Sequence, residues 1–287
     1  MPIFKIHHIT FYQYDRPVKE NINQVKIFPV EDGLQEVTEF GMVVTGDPFI
    51  HTYFDFFGNK VGDFNVHLPH TELSIDCRMT VKTADRSLSH DSLPVVTLAE
   101  LKKDTDSQIF LFRMADPERI SSKPQIDSIL QVIGYKELSV KDIARSCCNY
   151  VYTNFKYQKG ITNIETTVDE ILDHRFGVCQ DFAHVLIGCL RSMGLPARYV
   201  SGYLETVPPP GQEKLVGADA SHAWVSLFCG EELGWIDLDP TNDVLPGDRH
   251  ITIAWGRDFS DVSPLRGVTW AAGEQWLLVG VDVKRLE

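Results

Sequence analysis

A cysteine near residue 180 opens a segment whose residue types could support nucleophilic chemistry. Residues 177–182 read Gly-Val-Cys-Gln-Asp-Phe, and apolar residues recur behind them at helical spacing, which predicts Cys179 in the first turn of an amphipathic helix. The partial positive charge and free N–H groups of a helix N-terminus favour a thiolate over a thiol. Gly177 permits a tight turn just before it. Packing as a small hydrophobic residue is the alternative for Cys179, and this helix alone does not decide between the two.

A histidine lies on the polar face of a predicted strand farther along the chain. Residues 221–227 read Ser-His-Ala-Trp-Val-Ser-Leu, and their alternation separates an apolar face from a face that carries His222 and Trp224. The apolar face is expected to join the core. His222 is therefore predicted to face a cleft or the solvent.

Two aspartates lie on the next predicted strand. Residues 234–242 read Gly-Trp-Ile-Asp-Leu-Asp-Pro-Thr-Asn, and alternation turns Asp237 and Asp239 to the same face. If this strand forms a hairpin with the preceding one around residues 230–234, that face lies beside His222 and supplies a carboxylate to orient the imidazole. The alternation does not separate Asp237 from Asp239, and a solvated strand end before Pro240 is the alternative.

A thiol, an imidazole and a carboxylate together are what acyl transfer by cysteine requires. The thiolate attacks a carbonyl, the imidazole protonates the leaving amine, and the carboxylate fixes the imidazole tautomer. The sequence contains no Gly-x-Gly-x-x-Gly, phosphate loop, His-Glu-x-x-His or Gly-x-Ser-x-Gly. Its histidines and cysteines do not combine at zinc-ligand spacing. We therefore expect neither a metal nor a cofactor.

The composition is that of an acidic globular protein. The chain has 287 residues, is 43% hydrophobic, and carries a formal net charge of −13, which disfavours nucleic acids and anionic membranes as partners. The N-terminal stretch has no apolar leader, and no run is long and apolar enough for a membrane span. The six scattered cysteines are expected to be free thiols, with Cys147 and Cys148 packing in a helix. A cytoplasmic location is the resulting expectation.

The order of predicted elements indicates an α+β fold. Short β-like runs fill residues 1–85, with a hairpin turn at residues 57–60, and residues 86–135 form a mixed connecting region. A helix capped by Ser139, the helix that begins at Cys179, and further strands make up residues 136–287. The prediction is an antiparallel β domain followed by a catalytic domain in which a helix packs on an antiparallel sheet.

These motifs resemble those of the bacterial transglutaminase-like proteins, a branch of the papain-like cysteine protease and transglutaminase superfamily. The resemblance rests on GVCQDFAHVLIGCLRSMGLPARYVSGYL, ASHAWVSLF, GWIDLDPTN and DRHITIAWGRDFSDVSPLRG, and covers roughly residues 135–287. The segment YFDFFGNKVGDFNVHLPHTELSI resembles the β-rich N-terminal domain of many bacterial members. The resemblance implies a catalytic triad of Cys179, His222 and Asp239, and it alone favours Asp239 over Asp237.

The implied activity is acyl transfer from a peptide or glutamine-like amide through a thioester on Cys179. Water as acceptor gives a protease or amidase, an amine gives a transglutaminase, and the residues leave this choice open, together with the oligomeric state. Gln180, or backbone N–H groups at the helix start, would bind the oxyanion; Trp224 would wall the cleft. A binding module on the same fold that has lost turnover is the alternative function. No calcium loop is visible.

Overall fold

The computed structural model describes residues 1–86, 96–101, 107–114, 123–163, 165–206, 221–270 and 273–286. Much of the predicted connecting region, 86–135, lies outside the described residues. Within the described part of the chain, no helix has the length and apolar character needed to cross a membrane.

Strands and helices follow the predicted order, so the fold is α+β. The strands are β1 (Ile3–Val18), β2 (Asn21–Val25), β3 (Gln35–Val44), β4 (His51–Phe54), β5 (Lys60–Val66), β6 (His70–Thr83), β7 (Lys156–Tyr157), β8 (Phe176–Gly177), β9 (Ala197–Leu204), β10 (Ser221–Phe228), β11 (Trp235–Leu238), β12 (His250–Gly256), β13 (Leu265–Thr269) and β14 (Gln275–Arg285). The helices are α1 (Leu98–Leu101), α2 (Ser107–Phe110), α3 (Lys123–Ile133), α4 (Val140–Asn154), α5 (Val168–His174), α6 (Cys179–Ser192) and α7 (Phe259–Val262).

The N-terminal strands form two antiparallel sheets, in the orders β14-β1-β6-β3 and β13-β2-β5-β4. The predicted hairpin turn joins β4 to β5, and Gly58 takes a φ of 82° there. The last two strands of the chain complete these sheets, because β14 pairs with β1 and β13 pairs with β2. The predicted catalytic domain, 136–287, includes both strands, whereas they pair with the N-terminal strands. Alternation predicts a strand but not its partner, since pairing between chain ends leaves no local signature.

The second half of the chain packs α6 on a four-stranded antiparallel sheet in the order β11-β10-β9-β12. Helix α4 begins after Ser139, whose side chain accepts a hydrogen bond from Asp142 N, as its N-cap position predicts. Helix α6 ends before Gly194, which has a φ of 79°. Cys147 and Cys148 are buried in the same hydrophobic cluster as α6. Their predicted packing role is therefore confirmed.

The two halves share a hydrophobic core. The cluster built by the N-terminal strands includes Tyr203 of β9 and Ile251 and Ile253 of β12. Two buried amides bind the backbone of β12: Gln35 accepts from Thr252 N at 2.8 Å, and Asn59 accepts from Trp255 N at 2.9 Å. These amides satisfy backbone groups that burial would otherwise leave unpaired.

A glycine in β9 leaves space for a side chain of the neighbouring strand β10 to lie across β9. Gly202 lies between His222 of β10 and Thr252 of β12 in the register. A Cβ atom at residue 202 would lie 2.4 Å from the ring of Trp224 and 2.2 Å from the carbonyl oxygen of Ile251. Trp224 is fully buried and could not swing away without opening the sheet.

We expect Gly202→Ala to destabilise the fold, because its methyl group must displace backbone or a buried indole. The expected loss in free energy of unfolding is about 1–3 kcal/mol, measured by urea denaturation. Gly41→Ala in β3 is the matched control, since a Cβ there meets nothing within 4 Å. It should be neutral or stabilising by about 0.4–1 kcal/mol. Equal stability of the two variants would contradict this interpretation of Gly202.

Candidate active site

Helix α6 begins at Cys179, and a buried aspartate holds its first turn. Asp181 Oδ2 accepts hydrogen bonds from Val178 N and from Thr162 Oγ1, each at 2.7 Å. Burial raises the pKa of Asp181 although both hydrogen bonds act to lower it. Gly177 is needed beside this carboxylate, because a Cβ at residue 177 would lie 2.7 Å from Asp181 Oδ2. The sequence predicts that Gly177 permits a tight turn before the helix, and the close Asp181 side chain is the reason why a glycine is needed there.

Strands β10 and β11 form the predicted hairpin and bring a histidine to a carboxylate. The register pairs Val225 with Leu238 and Ser226 with Asp237. Asp239 follows the last residue of β11, and its Oδ2 lies 2.8 Å from His222 Nε2. Of the two aspartates that alternation left unresolved, Asp239 is the one that contacts His222. Asp237 lies two residues away and interacts electrostatically with Arg198.

The Asp239 carboxylate is fully buried and accepts five hydrogen bonds. Oδ1 accepts from the backbone N–H groups of Thr241 and Asn242 at 2.9 and 3.3 Å. Oδ2 accepts from Asn242 Nδ2 at 2.7 Å and from two histidines. Burial alone would raise the pKa of Asp239, but the hydrogen bonds and charges of His222 and His250 outweigh it and hold that pKa well below its usual range.

His250 is a site residue that the sequence did not indicate. Its Nε2 lies 3.2 Å from Asp239 Oδ2, and its ring lies 6.1 Å from that of His222. It is the first residue of β12, which lies on the other side of β9 from β10. Only the strand order brings it to Asp239, so a local pattern could not reveal it. Its position in the DRHITIAWG motif was the one available signal.

His222 links Asp239 to Cys179. Its Nε2 faces Asp239, so Nδ1 is the nitrogen left to interact with the Cys179 side chain. Burial lowers the pKa of His222, but the hydrogen bonds and charges of Asp239 and Cys179 outweigh it and raise that pKa to about 10. The imidazole is therefore protonated at neutral pH, and it can donate a proton to a group bound at Cys179.

A cavity of about 330 Å³ opens beside Cys179 and His222. Gln180 lines it, in the position expected for a group that contacts substrate. Trp224 is placed differently from the cleft wall expected of it: its side chain is fully buried, and its ring packs edge-on against His250 at 5.3 Å. The reason is Gly202, which leaves room for the indole to lie across β9.

Among the described residues, one group has the donor atoms for a metal ion. One ligand atom each from His222, Asp239 and His250 lies within 4.8 Å of the others. Both histidine Nε2 atoms, however, are at hydrogen-bonding distance from Asp239 Oδ2. An ion there would have to replace both hydrogen bonds. The arrangement therefore fits a hydrogen-bonded carboxylate better than a metal centre.

The other five cysteines are buried, whereas Cys179 is partly exposed. Burial raises the pKa of Cys77, Cys189 and Cys229 to about 12 in each case, and it also raises the pKa of Cys147 and Cys148. These thiols stay protonated at neutral pH and are poor nucleophiles. Cys179 is thus the accessible thiol of the chain.

Comparison with known proteins identifies relatives of both halves. The family model described as Transglutaminase-like superfamily matches residues 130–240, and that of the Bacterial transglutaminase-like N-terminal region matches residues 4–82. An uncharacterized protein of Mycobacterium leprae is 30% identical over 288 residues, covering 98% of each chain. Another, from Mycobacterium tuberculosis, is 47% identical over 150 residues. That match spans 51% of this chain and 48%, about half, of the relative's length.

Two further similarities concern proteins whose names refer to an activity. The Protein-glutamine gamma-glutamyltransferase of Pseudomonas aeruginosa is 37% identical over 86 residues, which cover 30% of this chain and 13% of that protein. The solved structure of a candidate cysteine protease from Cytophaga hutchinsonii has a TM-score of 0.77 and 23% identity. It covers 100% of this chain and 91% of that chain, so the two share a fold.

We expect Asp239→Asn to lower the pKa of His222 from about 10 toward its ordinary value of 6.5, because the variant removes the charge that holds the proton. Asp237→Asn, the matched control two residues earlier, should leave it near 10. Titration of the His222 ring by ¹⁵N NMR measures both. A larger shift in the Asp237 variant would reverse the assignment.

The raised pKa of His222 also makes the free energy of unfolding depend on pH. Because folding raises the pKa of His222, its protonation adds stability that is fully present below about pH 6.5 and is lost as the pH rises through about 10. Urea unfolding between pH 6.5 and 10 should show this loss in the parent. It should be smaller in Asp239→Asn.

Proposed function

The chain belongs to the transglutaminase-like superfamily, and from that premise we propose that it is an enzyme that transfers acyl groups from amides through a thioester on Cys179. One observation carries the proposal. The accessible cysteine at the start of α6 lines the same cavity as a histidine whose pKa it helps to raise and whose Nε2 is held by a buried carboxylate. Fold similarity alone would not justify an activity, because function depends on the site.

The first half of the reaction forms the acyl-enzyme. Cys179 Sγ, as a thiolate, attacks the carbonyl carbon of the amide, and the carbonyl oxygen becomes an oxyanion. The N–H groups of the first turn of α6 have no partner within the helix and can stabilise that charge, with the Gln180 side chain nearby. The C–N bond then breaks, and His222 Nδ1 gives its proton to the leaving amine. Asp239 stabilises the imidazolium until this transfer.

The second half releases the acyl group. Neutral His222 removes a proton from water or from an amine, and that nucleophile attacks the thioester and expels the Cys179 thiolate. Water gives a hydrolase, and an amine gives a transamidase. The similarity of 86 residues to a protein-glutamine gamma-glutamyltransferase supports glutamine amides as one substrate class to test. We propose a peptide or protein amide as the substrate.

Alkylation tests the nucleophile without knowledge of the substrate. Mild iodoacetamide treatment at neutral pH should label Cys179 selectively, because burial keeps the other five thiols protonated and inaccessible. Labelling should slow in His222→Ala, since the imidazolium no longer stabilises the thiolate. Peptide mass spectrometry gives the rate at each cysteine. If Cys179 reacts no faster than Cys229 in the parent, the proposed chemistry fails and a binding module becomes the better interpretation.

A product assay then shows whether water or an amine is the acceptor of the acyl group. The protein is incubated with a glutamine peptide and a labelled primary amine, and both ammonia release and amine incorporation are measured. Cys179→Ala should reduce either activity by roughly 10⁴-fold or more, as the loss of a nucleophile does in comparable triads. Cys229→Ala is the matched control and should retain activity. Ammonia without incorporation indicates a hydrolase. Turnover that survives in Cys179→Ala would refute the thioester.

A further inference from the structure

The cavity beside Cys179 is built by both halves of the chain. One face of β9 carries Tyr199, which packs in the cluster around α6, and Tyr203, which packs with the N-terminal strands. Ser201, between them on the same face, lines the cavity. Strands β1 and β14 close it from the other side through Thr10, Tyr12, Leu277 and Val279. The N-terminal strands therefore form part of the wall that a substrate at Cys179 would meet.

Apart from the reacting pair, Cys179 and His222, the described wall of this cavity carries no fixed charge. None of the described residues that line it is Asp, Glu, Lys or Arg. Its ionisable members besides Cys179 and His222 include His8, whose pKa burial and neighbouring His7 lower to about 4, and Tyr12, whose pKa burial raises. Both are neutral at neutral pH. A charged group that entered the cavity would lose part of its hydration and would gain no opposite charge from His8 or Tyr12.

A chain of hydrogen bonds leads into the cavity. Burial raises the pKa of Tyr203 well above its ordinary value, so its hydroxyl keeps its proton and donates to His8 Nδ1 at 2.6 Å. His8 Nε2, which then carries the ring proton, donates to Thr10 Oγ1 at 3.0 Å. The Thr10 hydroxyl is left with its own proton to donate. It lines the cavity and can bind an acceptor oxygen of a ligand there.

We propose that this cavity binds an uncharged, mainly apolar side chain next to the reacting amide, with one carbonyl or hydroxyl oxygen that accepts a hydrogen bond from the Thr10 hydroxyl. The volume of about 330 Å³ lies at the small end of ligand cavities, roughly 300–1,000 Å³, so it holds a side chain and its adjoining backbone rather than a long peptide. The proposal rests on the proposed function and adds to it a substrate class. The acidic net charge of −13 would instead favour a basic side chain.

Covalent labelling with matched reagents tests the preference. Blocked aminoacyl chloromethyl ketones with leucine, phenylalanine, lysine or glutamate side chains share one reactive group, and the rate of each at Cys179 is divided by the iodoacetamide rate of the same protein. Leucine and phenylalanine reagents should react roughly 10- to 100-fold faster than the lysine and glutamate reagents. Equal rates, or a faster lysine reagent, would overturn the proposal.

Two neighbouring residues of β14 provide a matched pair of variants. Val279 lines the cavity and pairs with Thr10, whereas Leu278 pairs with Phe11 on the opposite face. Their exposed fractions are similar, 49% and 59%, so glutamate should be tolerated at both. Val279→Glu should shift the lysine-to-leucine rate ratio upward by about tenfold or more, because it adds the missing opposite charge. Leu278→Glu should leave the ratio unchanged, and an equal shift in both would contradict the cavity assignment.

Thr10 provides a second test. Thr10→Val should slow the leucine reagent by about two- to twelvefold through loss of one hydrogen bond, and Thr10→Ser should restore the rate. If both variants match the parent, Thr10 does not bind the ligand. The failures are distinguishable. A Cys179 that resists iodoacetamide refutes the proposed function and this proposal with it. A Cys179 that reacts with iodoacetamide but does not discriminate among the reagents refutes this proposal alone.

Discussion

The Asp239 carboxylate, an anion with no exposure to solvent, is the constraint on which the site depends. Burial of an unpaired carboxylate is costly unless donors replace its hydration. Here the donors come from three places: the turn after β11, the first residues of β10 and the start of β12. The four-stranded sheet must therefore keep its order, β11-β10-β9-β12, for the carboxylate to stay ionised. His222 is oriented toward Cys179 as a consequence of the same hydrogen bonds.

The Asp239 carboxylate can accept hydrogen bonds from residues on both sides of β9, because Gly202 has no side chain to fill the space above that strand. The ring of Trp224 occupies the space above it and packs edge-on against His250. A side chain at residue 202 would collide with this ring, which packs against both histidines that bind Asp239. Gly202 thus affects the electrostatics of the site through the space that it leaves, although it has no functional group. The indole, in turn, shields the Asp239–His222 hydrogen bond from water, and a hydrogen bond of a charged group is stronger in such surroundings.

Local patterns predicted the elements better than their partners. Alternation located β10 and β11, glycines located their hairpin, and helical spacing after residue 177 located α6. Those elements place Cys179, His222 and Asp239, so most of the candidate site could be anticipated. His250 and the pairing of β13 and β14 with the N-terminal strands depend on contacts between distant parts of the chain. Trp224 was misjudged for a related reason: alternation gives its face of the strand, but not what covers that face.

Contacts between distant parts of the chain also make the N-terminal strands part of the candidate site. Strand β14 lies beside β1 because the chain returns to its start, and that return brings Val279 and Leu277 over Cys179. The buried amides of Gln35 and Asn59 fix these strands to β12, the strand that supplies His250. The same sheet therefore supports both the proton-transfer group His222 and the strands that close the cavity beside it. The net charge of −13 acts on whatever approaches the protein, whereas the cavity, in which none of the described lining residues is Asp, Glu, Lys or Arg, acts on what is bound. Encounter and recognition can thus favour different groups of one substrate, because salt and solvent screen charges at the surface more than contacts inside the cavity.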